Sequence, residues 1–137
     1  MSDVNKFALS SVLKLLQDYR FFFSVFQETH PGNKVTSTIE SIDNLLVNLK
    51  DTASAKLMEY SKNHDNKVTL SKDHLGLIKE FIISMQLLNK KVSNPNINAM
   101  ISKLGDIIDS IYDYPFFTID SEEASALQVQ ILEIENS

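Results

Sequence analysis

Residues 94–115, NPNINAMISKLGDIIDSIYDYP, show the pattern that decides the fold. Their apolar side chains recur every three or four positions, the spacing that places them along one stripe of an α-helix. Asn94 is a favourable N-cap and Pro95 suits the first helical turn, whereas Pro115 cannot continue the hydrogen-bond ladder. We therefore predict a helix that starts at Asn94-Pro95 and closes at Pro115. The stripe consists of Ile97, Met100, Ile101, Leu104, Ile107, Ile108 and Ile111.

Two more helices are predicted on the N-terminal side of this stretch. The nearer one runs from Lys72 to Val92, and Ser71 is placed to cap it. The one before it runs from Thr38 to Lys62, because Ser37 and Glu40 have the spacing of a capping box. We expect the polar run at 63–67 between them to be a loop. The predicted inward stripe of the nearer helix consists of Leu75, Ile78, Ile82, Met85 and Val92.

The two ends of the chain complete the pattern. A first helix is predicted from Asp3 to Glu28, since the run His30-Pro31-Gly32 must end it. A fifth element starts at Asp120, which can cap a helix together with Glu123. Residues 127–134 of that element also alternate like a strand, so the pattern leaves helix and strand both open.

These elements predict an all-α fold, a single-domain antiparallel bundle of about five helices over residues 1–137. The length suits one domain, and the predicted connections are short enough for neighbouring helices to run antiparallel. The chain contains only 3 Gly and 3 Pro, which argues against an all-β protein rich in turns.

Composition excludes several classes of site and location. There is no cysteine, so disulfides and thiolate chemistry are absent. A net charge of −5 and a single arginine argue against nucleic-acid binding. The stretch Leu9 to Phe26 is interrupted by charged residues and is no membrane span. We see no secretory signal and no phosphate-binding glycine loop, and we expect no cofactor. The predicted location is the cytoplasm, or a host cell if the source is a pathogen or virus.

Histidine and aspartate side chains are the candidate metal ligands in this sequence. His30, His64 and His74 show no metal-binding spacing, and we expect them on the surface or at helix caps. Asp106, Asp109 and Asp113 fall on one side of a predicted helix, away from its apolar stripe. Three carboxylates at this spacing could bind a divalent cation, although charged side chains that point away from a core usually form a solvated face.

The charge distribution along the chain is uneven. All 13 Lys and Arg residues lie at or before Lys103, and eight of the 18 Asp and Glu residues follow it. Two interpretations remain open. The late carboxylates either pair with lysines of earlier helices, or they form a docking face for a basic partner.

Several apolar side chains fall outside the predicted core stripes. Phe21 lies on the polar side of the first helix, and Phe7 and Val25 flank that side. Ile83 and Leu87 are neighbours opposite the stripe of the third helix. Val129 lies off the stripe of the fifth helix, as does Leu132. Such side chains indicate either a first helix buried on both sides or a hydrophobic interface, for self-association or for a partner.

Three functions follow from these features. The leading hypothesis is a small non-enzymatic protein–protein interaction module, which leaves open an adaptor, a chaperone, an immunity or antitoxin protein, or a viral or effector-type regulator. It would bind through Phe21, Val25, Ile83 and Leu87, with acidic residues such as Asp106, Asp109 and Asp113 attracting a basic partner. A metal-dependent enzyme or metal-binding protein that uses the same three aspartates is the alternative. A sensor for a hydrophobic ligand is the third, its cavity formed by Phe21, Phe22, Phe23 and Phe26.

Overall fold

The structure, a computed structural model, describes residues 6–63 and 67–137, with Asn63 described by its backbone alone. Within these residues the chain forms five α-helices and one two-stranded sheet. The predicted first-helix positions Asp3 and Val4, and the predicted loop residues His64, Asp65 and Asn66, lie outside the described part. The elements in order are α1 Leu9–Thr29, α2 Asn33–Asn63, β1 Lys67–Thr69, α3 Lys72–Val92, α4 Pro95–Asp113, β2 Phe116–Thr118 and α5 Ser121–Glu135.

Successive helices run antiparallel, as side-chain contacts between neighbours show. Arg20 on α1 donates a hydrogen bond to Asp43 on α2. Towards the sheet, Thr52 on α2 meets His74 near the start of α3. Lys79 on α3 bonds the Tyr112 hydroxyl near the end of α4. The predicted all-α antiparallel bundle is therefore confirmed.

The fifth helix lies on the outside of the bundle, against α1 and α2. Glu123 contacts Ser10, and Gln130 contacts Gln17, so α5 runs parallel to α1 with a constant offset of 113 residues. Its buried residues are Leu127 and Ile131. The open question over residues 127–134 is answered in favour of a helix, because an apolar stripe along α5 fits the surface that α1 and α2 present.

The core lies between α1, α2, α3 and α4. Phe23 and Phe81 are both fully buried, and their rings meet edge to face with centroids 6.1 Å apart. The predicted inward stripe of α3 packs on the core: Ile78 and Met85 are buried, and Leu75, Ile82 and Val92 are half-buried against it. Phe81 and Leu88 are buried as well and were not predicted.

The sequence interpretation missed a small antiparallel sheet. Val68 of β1 pairs with Phe117 of β2, and both side chains are buried under the ends of the helices. Lys67 therefore belongs to a strand and not to the predicted loop, and Asn63 belongs to α2. Each strand is three residues long, and its pairing partner lies about fifty residues away. Burial alternates along 67–70 and along 116–119, as expected of strands with one face on the core.

Two helix starts differ from the prediction. The helix α1 begins at Leu9 and not at Asp3, since residues 6–8 are not helical. The helix α2 begins at Asn33 and not at Thr38, so the predicted capping box of Ser37 and Glu40 was wrong. Val35 and Thr38 are buried, and packing of these side chains accounts for the extra turn.

The start of α1 is capped by a side chain from α5. Its own N-cap residue, Ala8, offers no side-chain acceptor. Instead the Glu123 carboxylate accepts hydrogen bonds from the backbone N–H of Ser10, at 2.9 Å, and from the Ser10 hydroxyl. A carboxylate at a helix N-terminus satisfies a donor that the helix leaves unpaired and interacts favourably with the helix dipole.

We expect Glu123→Ala to lower the free energy of unfolding by about 1–3 kcal/mol, because a partly buried donor loses a charged acceptor. Urea denaturation measures this loss. Glu122→Ala is the matched control, since it removes an exposed carboxylate from the same first turn of α5. An equal decrease in the free energy of unfolding in the two variants would show that the contact between Glu123 and Ser10 does not stabilise the fold.

Candidate protein-binding grooves

The apolar side chains predicted to lie off the core stripes are exposed, except Phe7, which is half-buried against the core. Phe21 is the most exposed of them, with 70% of its surface accessible. This excludes the alternative in which α1 is buried on both sides. Val47 and Met58 on α2 are exposed as well and were not predicted, although helical spacing places both away from the α2 core stripe. The other exposed large apolar residues are Val25, Ile83, Leu87, Tyr112, Tyr114, Val129 and Leu132.

Phe21 and Val47 face each other across a groove between α1 and α2, beside the end of α5. This α1–α2 groove has a volume of about 580 Å³. The buried side chain of Leu46 contributes to it, so the apolar surface continues inward from the exposed residues. Val25 follows Phe21 by one helical turn and is 48% exposed. The groove is lined by Gln17, Arg20, Phe21, Ser24, Asp43, Leu46, Val47, Ile134 and Ser137.

Ile83 and Leu87 lie in a different place, between α3 and α4. They line a second groove of about 430 Å³ together with Ile101. This α3–α4 groove shares no lining residue with the α1–α2 groove. The four apolar residues that the sequence grouped as one interface are therefore divided between two surfaces.

A third groove lies between α2 and the other side of α5. Met58 and Leu132 line it, and they are 62% and 52% exposed. Its volume is about 560 Å³, and its floor includes Ile131. The helix α5 thus has an apolar depression beside α2 and another near its C-terminal end.

The late carboxylates do not form one acidic face. Asp106, Asp109 and Asp113 are exposed on α4, around a shallow depression that Lys6 also lines. On α5, Glu123 bonds Ser10 of α1, and Glu135 approaches Lys50 of α2 at 3.9 Å. Within residues 6–63 and 67–137, no ion pair joins the three aspartates of α4 to a Lys or Arg side chain.

The structure gives no geometric support to a metal centre at these aspartates. In the described part of the chain, no three His, Asp or Glu side chains are arranged to hold a metal ion. His74 is used in a helix cap, where its ring accepts from the Ser71 N–H and contacts Thr52 at 2.8 Å. His30 is exposed and stacks on Phe26 with ring centroids 4.2 Å apart. His64 lies outside the described residues.

The four phenylalanines proposed to line a ligand cavity do not converge. Phe21 points to the surface, whereas Phe23 is fully buried against Phe81. Phe22 stacks on Phe26, with ring centroids 5.6 Å apart. Phe23 and Phe26 belong to the packed interior and Phe22 is half-buried against it, so Phe21 is the most exposed of the four.

Three titratable groups on α1 and α2 have clearly shifted pKa values. A hydrogen bond with Asp18 raises the pKa of Lys14, and one with Asp51 raises that of Lys50. Burial raises the pKa of Tyr19 to about 12. All three shifts move away from neutral pH, so none of these groups becomes a better proton donor or acceptor at pH 7.

No protein family, curated protein or solved structure matches this chain. The described helices include none that is long and apolar enough to cross a membrane.

Proposed function

We propose that the protein is a non-enzymatic protein–protein interaction module that works in the cytoplasm and holds its partner in the α1–α2 groove. The exposure of Phe21 beside Val47 carries this proposal. Covering a phenylalanine side chain is worth roughly 1.5–3 kcal/mol, and aromatic residues in the centre of a patch are frequent hot spots of binding.

The α1–α2 groove is favoured over the α3–α4 groove because of its composition, and over the groove between α2 and α5 because Phe21 is the most exposed large apolar side chain, at 70%. It combines an exposed aromatic ring with a buried apolar floor at Leu46 and with the hydrogen-bonded pair Arg20–Asp43. An apolar centre bordered by polar groups is the arrangement of a protein interface. The α3–α4 groove has aliphatic side chains but no aromatic one.

Affinity capture from the source organism tests the proposal when the wild type is compared with two double variants. We expect Phe21→Ser/Val25→Ser to weaken capture of the partner by about thirtyfold or more, which corresponds to the loss of a hot spot. Ile83→Ser/Leu87→Ser is the matched control on the α3–α4 groove, and we expect it to capture the partner as the wild type does. Thermal melts of all three proteins show whether each is folded.

The result that contradicts the proposal is equally specific. If no captured protein depends on Phe21 and Val25 while the double variant remains folded, the α1–α2 groove is not the binding surface. If capture depends on Ile83 and Leu87 instead, the α3–α4 groove takes its place.

A further inference from the structure

The helices α3 and α4 are neighbours with opposite net charges. The helix α3 has four lysines and two acidic residues, a net charge of +2 with His74 neutral, whereas α4 has one lysine and three aspartates, a net charge of −2. Within residues 6–63 and 67–137, no ion pair involves a lysine of α3 or an aspartate of α4. Lys79 donates a hydrogen bond to the Tyr112 hydroxyl instead. The two helices therefore present opposite charges side by side, without ionic partners.

The outer surface of α3 has an apolar ridge with a lysine at each end. Both apolar side chains of the ridge are exposed. The first lysine contacts Tyr112 of α4, and the second lines the α3–α4 groove. Helical spacing turns Glu80 and Lys91 to the flank of α3 that faces away from α4. The ridge, in order along the chain, consists of Lys79, Ile83, Leu87 and Lys90.

The aspartates of α4 lie on the outer surface beside this ridge. Asp106, Asp109 and Asp113 recur at intervals of one helical turn, and all three are exposed. Lys103 of α4 lies on the other flank of the helix, where its ammonium is 5.0 Å from the centre of the Phe7 ring. The side of α4 next to the ridge is therefore acidic.

Both glycines that lie within helices occur on this side of the bundle, and packing inside one copy accounts for neither. Of the residues that the structure describes, none beyond the adjoining helix comes within 4 Å of a methyl group added to Gly76 or Gly105. Gly76 lies two turns before Ile83, and Gly105 lies one turn after Ile101. Glycine destabilises the interior of a helix relative to alanine, so these positions favour a close approach from outside the protomer.

We propose that the outer face of α3 and α4 binds a second copy of the same chain, with the two-fold axis parallel to the helices. This axis places α3 of each copy over α4 of the other, so a helix with a net charge of +2 packs on one with a net charge of −2. Neighbouring helices then run antiparallel throughout, as in a four-helix bundle. A two-fold axis across the helices would instead pack α3 on α3 and α4 on α4, which opposes like charges.

The heights of the residues along the helices fit this arrangement. A two-fold axis parallel to the helices leaves every residue at its own height, and the contact between Lys79 and Tyr112 sets the height of α3 relative to α4. Leu87 lies eight residues after Lys79 and is therefore level with residue 104, eight residues before Tyr112. Leu87 of the second copy would thus face Gly105, where no side chain obstructs it. Lys79 of the second copy would lie between the last two aspartates of α4.

Sedimentation equilibrium of the full-length protein tests the inference. The salt concentration is about 0.15 M, which screens the net charge of −5 on each copy. We expect the average mass to rise from 15.5 kDa towards twice that value as the protein concentration increases. Ile83→Ser/Leu87→Ser should weaken association about tenfold or more. Phe21→Ser is the matched control, since it changes an exposed apolar side chain on another surface, and it should associate as the wild type does. A wild type with a dissociation constant above about 1 mM overturns the inference.

Two charge-exchanged variants test which helices meet. Lys79→Glu/Lys90→Glu makes both helices acidic, and Asp109→Lys/Asp113→Lys makes both helices basic. We expect neither variant to associate alone where the wild type does, because like charges would meet. An equimolar mixture should form a dimer with one copy of each variant, since every α3 then meets an α4 of opposite charge. Thermal melts show that both variants are folded. Wild-type association of either variant alone, or no association in the mixture, overturns the inference.

A substitution at Gly105 tests the close approach without changing charge. Gly105→Gln should not lower the melting temperature, because glutamine is the better helix former. Its side chain would occupy the space that Leu87 of the second copy needs, so association should weaken about tenfold or more. Ala55→Gln, at an exposed position in the interior of α2, is the matched control and should leave association unchanged. Equal association of Gly105→Gln and the wild type overturns the proposed arrangement.

This inference goes beyond the proposed function and does not rest on it. The α1–α2 groove and the α3–α4 groove share no lining residue, so such a dimer leaves Phe21 accessible to another partner. Capture that is independent of Phe21 therefore contradicts the proposed function and leaves the dimer standing. A dimer that Phe21→Ser dissociates identifies the α1–α2 groove as the surface of self-association and overturns the inference.

Discussion

Phe23→Ala is expected to lower the free energy of unfolding by about 3–5 kcal/mol. The Phe23 ring is fully buried, and it meets Phe22 at 5.2 Å and Phe81 at 6.1 Å between centroids, both edge to face. Truncation removes these contacts and leaves a cavity that the surrounding helices can close only by moving closer together. The loss is measured by urea denaturation, read from the helical circular dichroism signal.

The chain supplies a control for this prediction two positions away. Phe21→Ala makes the same chemical change on the same helix, but at a side chain that is 70% exposed. We expect a loss below about 1 kcal/mol there, as for other surface substitutions. If the two variants unfolded at the same urea concentration, α1 would not face the core as described.

Leu127→Asp is expected to detach α5 from the bundle. Leu127 is fully buried, and an aspartate there would place a carboxylate among apolar side chains. The change removes the packing of a buried leucine, worth about 2–5 kcal/mol, and adds the cost of burying a charge. We expect hydrogen exchange to lose its protection along Ser121–Glu135 while α3 and α4 stay protected, because they pack mainly on other helices.

Val129→Asp is the matched control for this variant. It places the same new carboxylate on the same helix, at a side chain that is 51% exposed. We expect its exchange pattern to equal that of the wild type. Loss of protection along α5 in both variants would mean that Leu127 does not anchor the helix.

The starts of helices could be predicted well from the sequence where the capping residue directly precedes the helix in the chain. Ser71 and Asn94 cap α3 and α4 with side chains that lie next to the helices in the chain, and both starts were correct. The start of α2 was wrong because burial of Val35, a tertiary effect, overrides the capping preference of Ser37. The pairing of Val68 with Phe117 could not be seen, since it depends on where two helices end.

The candidate site shows the same division between local and tertiary information. Helical spacing alone predicted correctly that Phe21 and Ile83 are exposed. It could not show that they belong to different grooves, because that depends on which helices are neighbours. The position of α5, whose end borders the α1–α2 groove beside Phe21, is not encoded by any local sequence pattern.

The contact between Glu123 and Ser10 has a consequence for synthesis of the chain on the ribosome. The first turn of α1 leaves the exit tunnel 113 residues ahead of its cap. At translation rates of about 5–20 residues per second, this delay lasts roughly 6–23 s. In that interval the first turn of α1 in the nascent chain lacks its Glu123 cap, and α5 does not yet cover the apolar surface of α1. A chaperone that recognises exposed apolar helices has this interval in which to bind α1 before α5 is synthesised.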